Sequence, residues 1–417
     1  MLTNQQGYEE NYNQEKPLSR NKLLGVAGVG WMFDAMDVGI LSFIIAALGM
    51  EWGLTATEKG WIGSVNSIGM AVGAILFGIL ADKVGRKKIF IWTLVLFSIA
   101  SGLSAFATGL AVFLILRFFI GMGLGGELPV ASTLVSESVK KEERGRVVVL
   151  LESFWALGWI LAAIISYYVI PADFWPIEGW RVALLLTALP AFYALYIRMK
   201  LPESSTFQVK KESKERKFIQ NLKQLWSKQY AKSTFMMWIL WFTVVFSYYG
   251  MFLWLPTVMV EKGFDLISSF KYVLIMTLAQ LPGYFTAAYF IEKFGRKFVL
   301  STYLLGTAIS ALIFGNAESV EMLLISGMLL SFFNLGAWGA LYAYSPEQYP
   351  TVIRATGTGT AAGVGRIGGI LGPLLVGVLL SKGYDYGFIF GIFCVSILVG
   401  VLAVVFLGKE TKQLELE

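Results

Sequence analysis

Gly78-Ile79-Leu80-Ala81-Asp82-Lys83-Val84-Gly85-Arg86-Lys87-Lys88 is a short polar interruption between two apolar stretches. A version of it returns as Ala288-Tyr289-Phe290-Ile291-Glu292-Lys293-Phe294-Gly295-Arg296-Lys297. Acid, glycine and arginine recur at a constant offset of 210 residues, and the same offset pairs Glu137 with Glu347, Arg144 with Arg354 and Gly126 with Gly336. One register shared by two separate loops marks an internal repeat, so the chain reads as two halves built on one plan.

Each half is made of spans. Of the 417 residues 56% are hydrophobic and 15% charged, more apolar surface than a soluble core can hide. Apolar windows recur at residues 23–48, 61–80, 89–108, 111–135, 147–170 and 181–199, then at 233–257, 268–291, 298–316, 320–344, 356–380 and 386–407. Each is near the ~20 residues a bilayer core demands. The expected fold is an all-α integral membrane protein, twelve transmembrane helices in two six-helix bundles. The expected division is an N-terminal tail over 1–21, a first bundle over 22–199, a linker over 200–232, a second bundle over 233–408 and a tail over 409–417. The linker is basic, with Lys210, Lys211, Lys214, Arg216 and Lys217, and suits an anionic lipid surface.

Lys and Arg set the orientation. Of 34 basic residues, five (Lys59, Arg181, Lys262, Lys271, Lys382) fall in one set of loops and two (Arg117, Arg366) within spans; the rest lie on the other side. The positive-inside rule then places both termini in the cytoplasm of a cell bounded by this membrane. The net charge of +6 is a topology signal, and no nucleic-acid partner is expected. The first twenty or so residues lack the apolar core of a signal peptide, so the first span is expected to stay in the mature chain. There is one cysteine, Cys394, and no histidine. No disulfide, metal site or cofactor is expected, and proton traffic must use carboxylates.

Ionised groups within spans cost at least about 2.5 kcal/mol each, so each is a functional candidate. There are six: Asp34, Asp37, Arg117, Glu127, Glu152 and Arg366. At ~1.5 Å per residue, Asp34, Arg117 and Arg366 converge roughly 16–18 Å from the inner face, with Asp37 a turn further out and Glu127 and Glu152 nearer the inner face. Asp34 is the expected partner of Arg117, either as a fixed ion pair or as a proton-coupling one, and Asp37 then has no evident partner. Adding 210 to Asp34 and Asp37 gives Val244 and Ser247, and subtracting it from Arg366 gives Ala156. The halves therefore share their loop charges but not their intramembrane ones, and Arg366 has no acid of its own half to neutralise it, which fits ligand binding. Aromatic and amide residues at the same depth are candidate substrate contacts: Trp155, Trp159, Tyr248, Tyr249, Asn334 and Trp338. The loop residues Asp82, Gly85, Arg86, Glu137, Arg144, Glu292, Arg296, Glu347 and Arg354 lie at helix ends, where ion pairs can make and break as a gate. Gly121, Gly123, Gly125 and Gly126 follow no strand; within a span they allow close helix approach rather than binding a nucleotide.

These residues carry a family resemblance. The Gly-x-Leu-Ala-Asp82-x-x-Gly85-Arg86-Lys-Lys loop, its weaker second copy, the Arg117-x-x-x-Gly121 pattern and the Pro202-Glu203-Ser204 and Glu410-Thr411-Lys412 exit segments resemble the major facilitator superfamily over nearly the whole chain. Trp31-Met-Phe-Asp34-Ala-Met-Asp37-Val-Gly, Gly-Gly-Glu127-Leu-Pro129 and Leu-Glu152-Ser-Phe-Trp155-Ala-Leu-Gly158 are similar to its bacterial niacin permease branch and the synaptic-vesicle relatives. Aromatic-acid proton symporters are similar in their paired acids in the first span. What the resemblance implies is a monomeric, proton-coupled secondary transporter of the cell membrane, importing nicotinate, with nicotinamide as a further candidate cargo, by alternating access. Benzoate-like acids and organic cations are the alternative cargoes. A channel or a membrane enzyme is the alternative class, and the missing histidines remove most enzymatic options.

Overall fold

The computed structural model describes residues 20–84, 86–125, 144–172, 174, 176–199 and 214–412. Gly85, Glu127 and Glu137, and the side chains of Asp82, Arg86 and Arg144, lie outside the described residues.

The first half contains α1 (Arg20–Glu51), α2 (Ala56–Val84), α3 (Arg86–Ser104), α4 (Leu110–Gly125), α5 (Arg144–Val169) and α6 (Gly179–Met199). After α7 (Lys214–Leu225) come α8 (Ala231–Phe252), α9 (Leu255–Glu261), α10 (Leu266–Leu278), α11 (Gln280–Phe294), α12 (Arg296–Gly315), α13 (Val320–Glu347), α14 (Thr351–Ser381) and α15 (Tyr386–Leu407). Among the described residues nine helices are long and apolar enough to cross a membrane, and three shorter apolar helices bring the set to twelve. Helix starts in the second half follow local chemistry: Asp265, Ser319 and Asp385 each accept a hydrogen bond from the backbone N–H three residues on.

Two spans expected to be continuous are broken. The seventh divides between Phe252 and Leu255, and the eighth between Leu278 and Gln280. Pro256 and Pro282 sit in the first turn after each break, where a missing N–H costs nothing. The first break follows a full-length helix of 22 residues, and only the second interrupts its span partway along.

The repeat is visible in the packing. In the first half α1 lies on α5, α2 on α4, α3 on α4 and α6; in the second α8 lies on α14, α11 on α13, α12 on α13 and α15. A methyl group at Gly73 would meet the Met122 carbonyl oxygen at 2.0 Å, and one at Gly283 would meet that of Phe332 at 2.2 Å. Gly158 approaches the Met32 carbonyl and Gly368 that of Phe242 in the same way, at 2.2 and 2.6 Å. Every member of these pairs is related to its counterpart by 210 residues. Among the described residues the halves meet mainly along two contacts, α2 against α14 and α5 against α10, α11 and α13, with α1 also touching α9 and α10. Those two contacts are themselves exchanged by the repeat, so a pseudo-twofold axis runs between them through the centre of the molecule.

Candidate functional site

At that centre α1, α5, α8 and α13 present aromatic side chains to one another. Trp155 donates its indole N–H to the Tyr248 hydroxyl at 2.7 Å and lies nearly parallel to Trp338, with ring centroids 6.5 Å apart and planes at 22°. Tyr248 packs 4.8 Å from Trp338, 5.2 Å from Tyr249 and 6.2 Å from Trp159. Five of the expected substrate contacts are thus brought into one cluster drawn from both halves. The sixth, Asn334, lies one turn from Trp338 on α13 and is buried. Its Oδ1 has no hydrogen-bond partner among the described residues, and neither has the indole N–H of Trp159 or Trp338. Buried polar atoms are nearly always paired, so those left over in an aromatic cluster mark where a polar ligand can be held.

Trp31 and Tyr342 complete the cluster. Trp31 lies 5.3 Å from Trp155 and 6.2 Å from Tyr342, and Tyr342 lies 6.1 Å from Trp338. Sequence reasoning passed over Tyr342 although the signal was present: Asn334, Trp338 and Tyr342 recur every four residues and so share one face of α13. Trp31 stood in a quoted motif but was given no role.

The Trp31 indole also donates to Glu152 Oε2 at 3.1 Å, and Glu152 is 1% exposed. Glu152 was expected nearer the inner face than Asp34, Arg117 and Arg366, and at that depth it meets the aromatic cluster through Trp31. Helix α5 begins at Arg144, which places Glu152 about 12 Å along the helix. No cation pairs with it among the described residues.

The pairing expected for Arg117 is corrected. Its Nη1 lies 3.4 Å from Asp37 Oδ2, with both side chains almost wholly buried. Asp34 is half-buried and has an interaction of its own. A three-residue separation puts both aspartates on one face about 4.5 Å apart in height, too close for a depth count to separate them. Asp37 therefore does have a partner. The pair is under-satisfied all the same: Asp37 Oδ1 and Arg117 Nε and Nη2 have no hydrogen-bond partner among the described residues, and nor have Asn66 Oδ1 and Ser67 Oγ on α2.

Arg366 on α14 is half-buried and has no acid within ion-pair range among the described residues. Its Nη1 reaches only the Met70 sulfur on α2, at 3.5 Å. A thioether is a weak acceptor, so nearly all of the guanidinium's donor capacity is open to a ligand. Gly369, three residues on along α14, lies against Tyr249, whose Cδ2 is 3.6 Å from where a methyl group there would sit, which sets this helix beside the aromatic cluster.

The loop charges gather at the end rich in Lys and Arg. Arg296 bridges Glu292 at 2.9 Å and Glu347 at 3.1 Å, and Thr411 adds a hydroxyl to Glu347 at 2.6 Å. Arg354 donates to the carbonyls of Pro346 and Tyr349. These ion pairs join helices of one half. The link across the halves is the Arg146 backbone N–H, which donates to Glu292 Oε1 at 3.1 Å at the start of α5. Sequence reasoning missed the matching ties at the opposite end. There Lys59 pairs with Glu261 at 3.1 Å, and the Ser64 hydroxyl donates to the Ile370 carbonyl at 2.6 Å.

Known proteins agree with this architecture. The Major Facilitator Superfamily profile matches residues 27–283 and 272–416. A Bacillus subtilis (strain 168) protein named for niacin/nicotinamide transport is 65% identical over 97% of this chain and 100% of its own. The niacin transporter NiaP of Acinetobacter baylyi (strain ATCC 33305 / BD413 / ADP1) is 45% identical over 95% of each chain. Among solved structures, the proton:xylose symporter XylE bound to 6-bromo-6-deoxy-D-glucose superposes with a TM-score of 0.76. It is 19% identical over 95% of this chain and 97% of that one, a likeness of fold. The chain belongs to the major facilitator superfamily and is a multi-pass membrane transporter rather than an enzyme.

Proposed function

We propose that this transporter imports nicotinate, with nicotinamide as a second cargo, across the cytoplasmic membrane by proton symport and alternating access. The observation that carries the reading is Arg366, a cation without an acid, beside a cluster of tryptophans and tyrosines with spare hydrogen-bonding atoms. A flat ring bearing one carboxylate matches both parts: the guanidinium takes the carboxylate with two parallel hydrogen bonds, and the ring packs against indole and phenol faces. The names of the two relatives point to the same cargo.

Proton coupling rests on Asp37 and Arg117, with Glu152, Asp34 and Glu127 as further carboxylates along the path. A proton on Asp37 would release its hold on Arg117. Loading Arg366 with carboxylate neutralises the other buried cation, and with both charges settled the halves can rock. Glu292, Arg296 and Glu347, with Asp82, Gly85, Arg86, Glu137, Arg144 and Arg354, form the gate on the basic side. That side is cytoplasmic by the positive-inside rule. One chain holds the whole site, which suits a working monomer.

Counterflow of labelled nicotinate in proteoliposomes tests the cargo. Aromatic acids are expected to compete and quaternary amines not; the reverse would make the cargo an organic cation. Arg366→Ala is expected to abolish carboxylate counterflow while the purified protein keeps its melting temperature. Unchanged nicotinate counterflow in that variant would remove Arg366 from the site.

A further inference from the structure

The repeat makes a prediction about the site's far wall that the intramembrane charges alone do not. Met70 on α2 reaches across the interface to Arg366 on α14. Its counterpart 210 residues on is Gln280, and the counterpart of Arg366 is Ala156 on α5, one residue after Trp155 and three before Trp159. The α2–α14 and α11–α5 contacts are exchanged by the repeat, and Gln280 holds on α11 the repeat position that Met70 holds on α2. At one of these repeat positions stands an arginine facing a methionine; at the other stand an alanine and a carboxamide.

Gln280 is fully buried, and neither its Nε2 nor its Oε1 has a hydrogen-bond partner among the described residues. It begins the helix after the break in the eighth span. Tyr284, one turn on along the same face, is equally buried and its hydroxyl equally unpartnered, as is the indole N–H of Trp159. A buried, wholly unpaired carboxamide is costly, and it is retained where a ligand supplies its partner.

We propose that Gln280 reads the ring nitrogen of a pyridine carboxylate or carboxamide, its Nε2 donating to that nitrogen. The inference rests on the nicotinate reading above and deepens it, because it sets pyridine carboxylates apart from benzoates. Benzoate offers the same acid and the same ring but only a C–H where the nitrogen would be.

The test is competition by unlabelled nicotinate and benzoate against counterflow of labelled nicotinate, in wild type and Gln280→Met. Methionine keeps the length of the side chain and matches the residue the other half already uses, so benzoate inhibition serves as the control for folding. Losing one hydrogen bond to a buried group should weaken nicotinate roughly tenfold or more and leave benzoate unchanged. A nicotinate-to-benzoate preference that survives Gln280→Met, or an equal loss of both, overturns the role of Gln280 alone. A wild-type protein that shows no nicotinate counterflow overturns the transport reading and this inference with it.

Discussion

At 3.4 Å, with three of its polar atoms left without partners among the described residues, the Arg117–Asp37 contact is a poor structural clamp. Removing one member of a well-made buried pair leaves an uncompensated charge and costs about 3–5 kcal/mol. A pair made for switching should instead be limiting for coupling. Asp37→Asn is expected to retain nicotinate exchange and lose uptake driven by a proton gradient, measured in the same proteoliposomes. Arg117→Met should lower the melting temperature by leaving Asp37 alone, and Asp37→Asn with Arg117→Met should restore stability without restoring gradient-driven uptake. Gradient-driven uptake by Asp37→Asn would move the proton carrier elsewhere. The charges themselves were legible in the sequence because each is anomalous in a span. Which aspartate meets Arg117 was not, since two residues a turn apart differ by less than the uncertainty of a helix start.

At the scale of elements, glycines set how near the helices lie. Gly73 and Gly283 bring α2 onto α4 and α11 onto α13 so closely that any side chain would overlap a carbonyl of the neighbour. Gly283→Ala is therefore expected to cost about 1–3 kcal/mol, read as a lower melting temperature and a smaller yield of monodisperse protein. Gly363→Ala, where a methyl group would meet nothing within 4 Å, is the neutral comparison. Equal behaviour of the two variants would show that the close approach does not limit stability. The repeat that pairs these glycines was legible from the loops alone. The breaks after Phe252 and Leu278 were not, because apolar windows measure length and hydropathy and pass over a single turn. Pro256 and Pro282 were the available signal. Reading them would have brought Gln280 forward as a polar residue at an interior helix start.

Across the whole molecule, few polar contacts among the described residues hold the halves at their ends: Glu292 with the start of α5 at one, and Lys59 with Glu261, Thr57 with Ser381 and Ser64 with Ile370 at the other. Arg296 holds Glu292 in place for the first of these. In a Cys394→Ala background, Arg296→Ala is expected to speed the reaction of an impermeant thiol reagent with a cysteine placed at Leu150, between α5 and α11. An unchanged rate would mean that the charge cluster does not govern opening. The charges of this cluster were legible as a motif, but the confinement of the described ion pairs to one half was not, because a loop motif fixes residue types and not which neighbour each one meets. The most direct test of proton-coupled nicotinate import is uptake of labelled nicotinate into proteoliposomes with and without an inwardly directed proton gradient. Accumulation above equilibrium only with the gradient, abolished by a protonophore, is the predicted result. Uptake that stops at equilibrium under both conditions, or that does not occur, would contradict it.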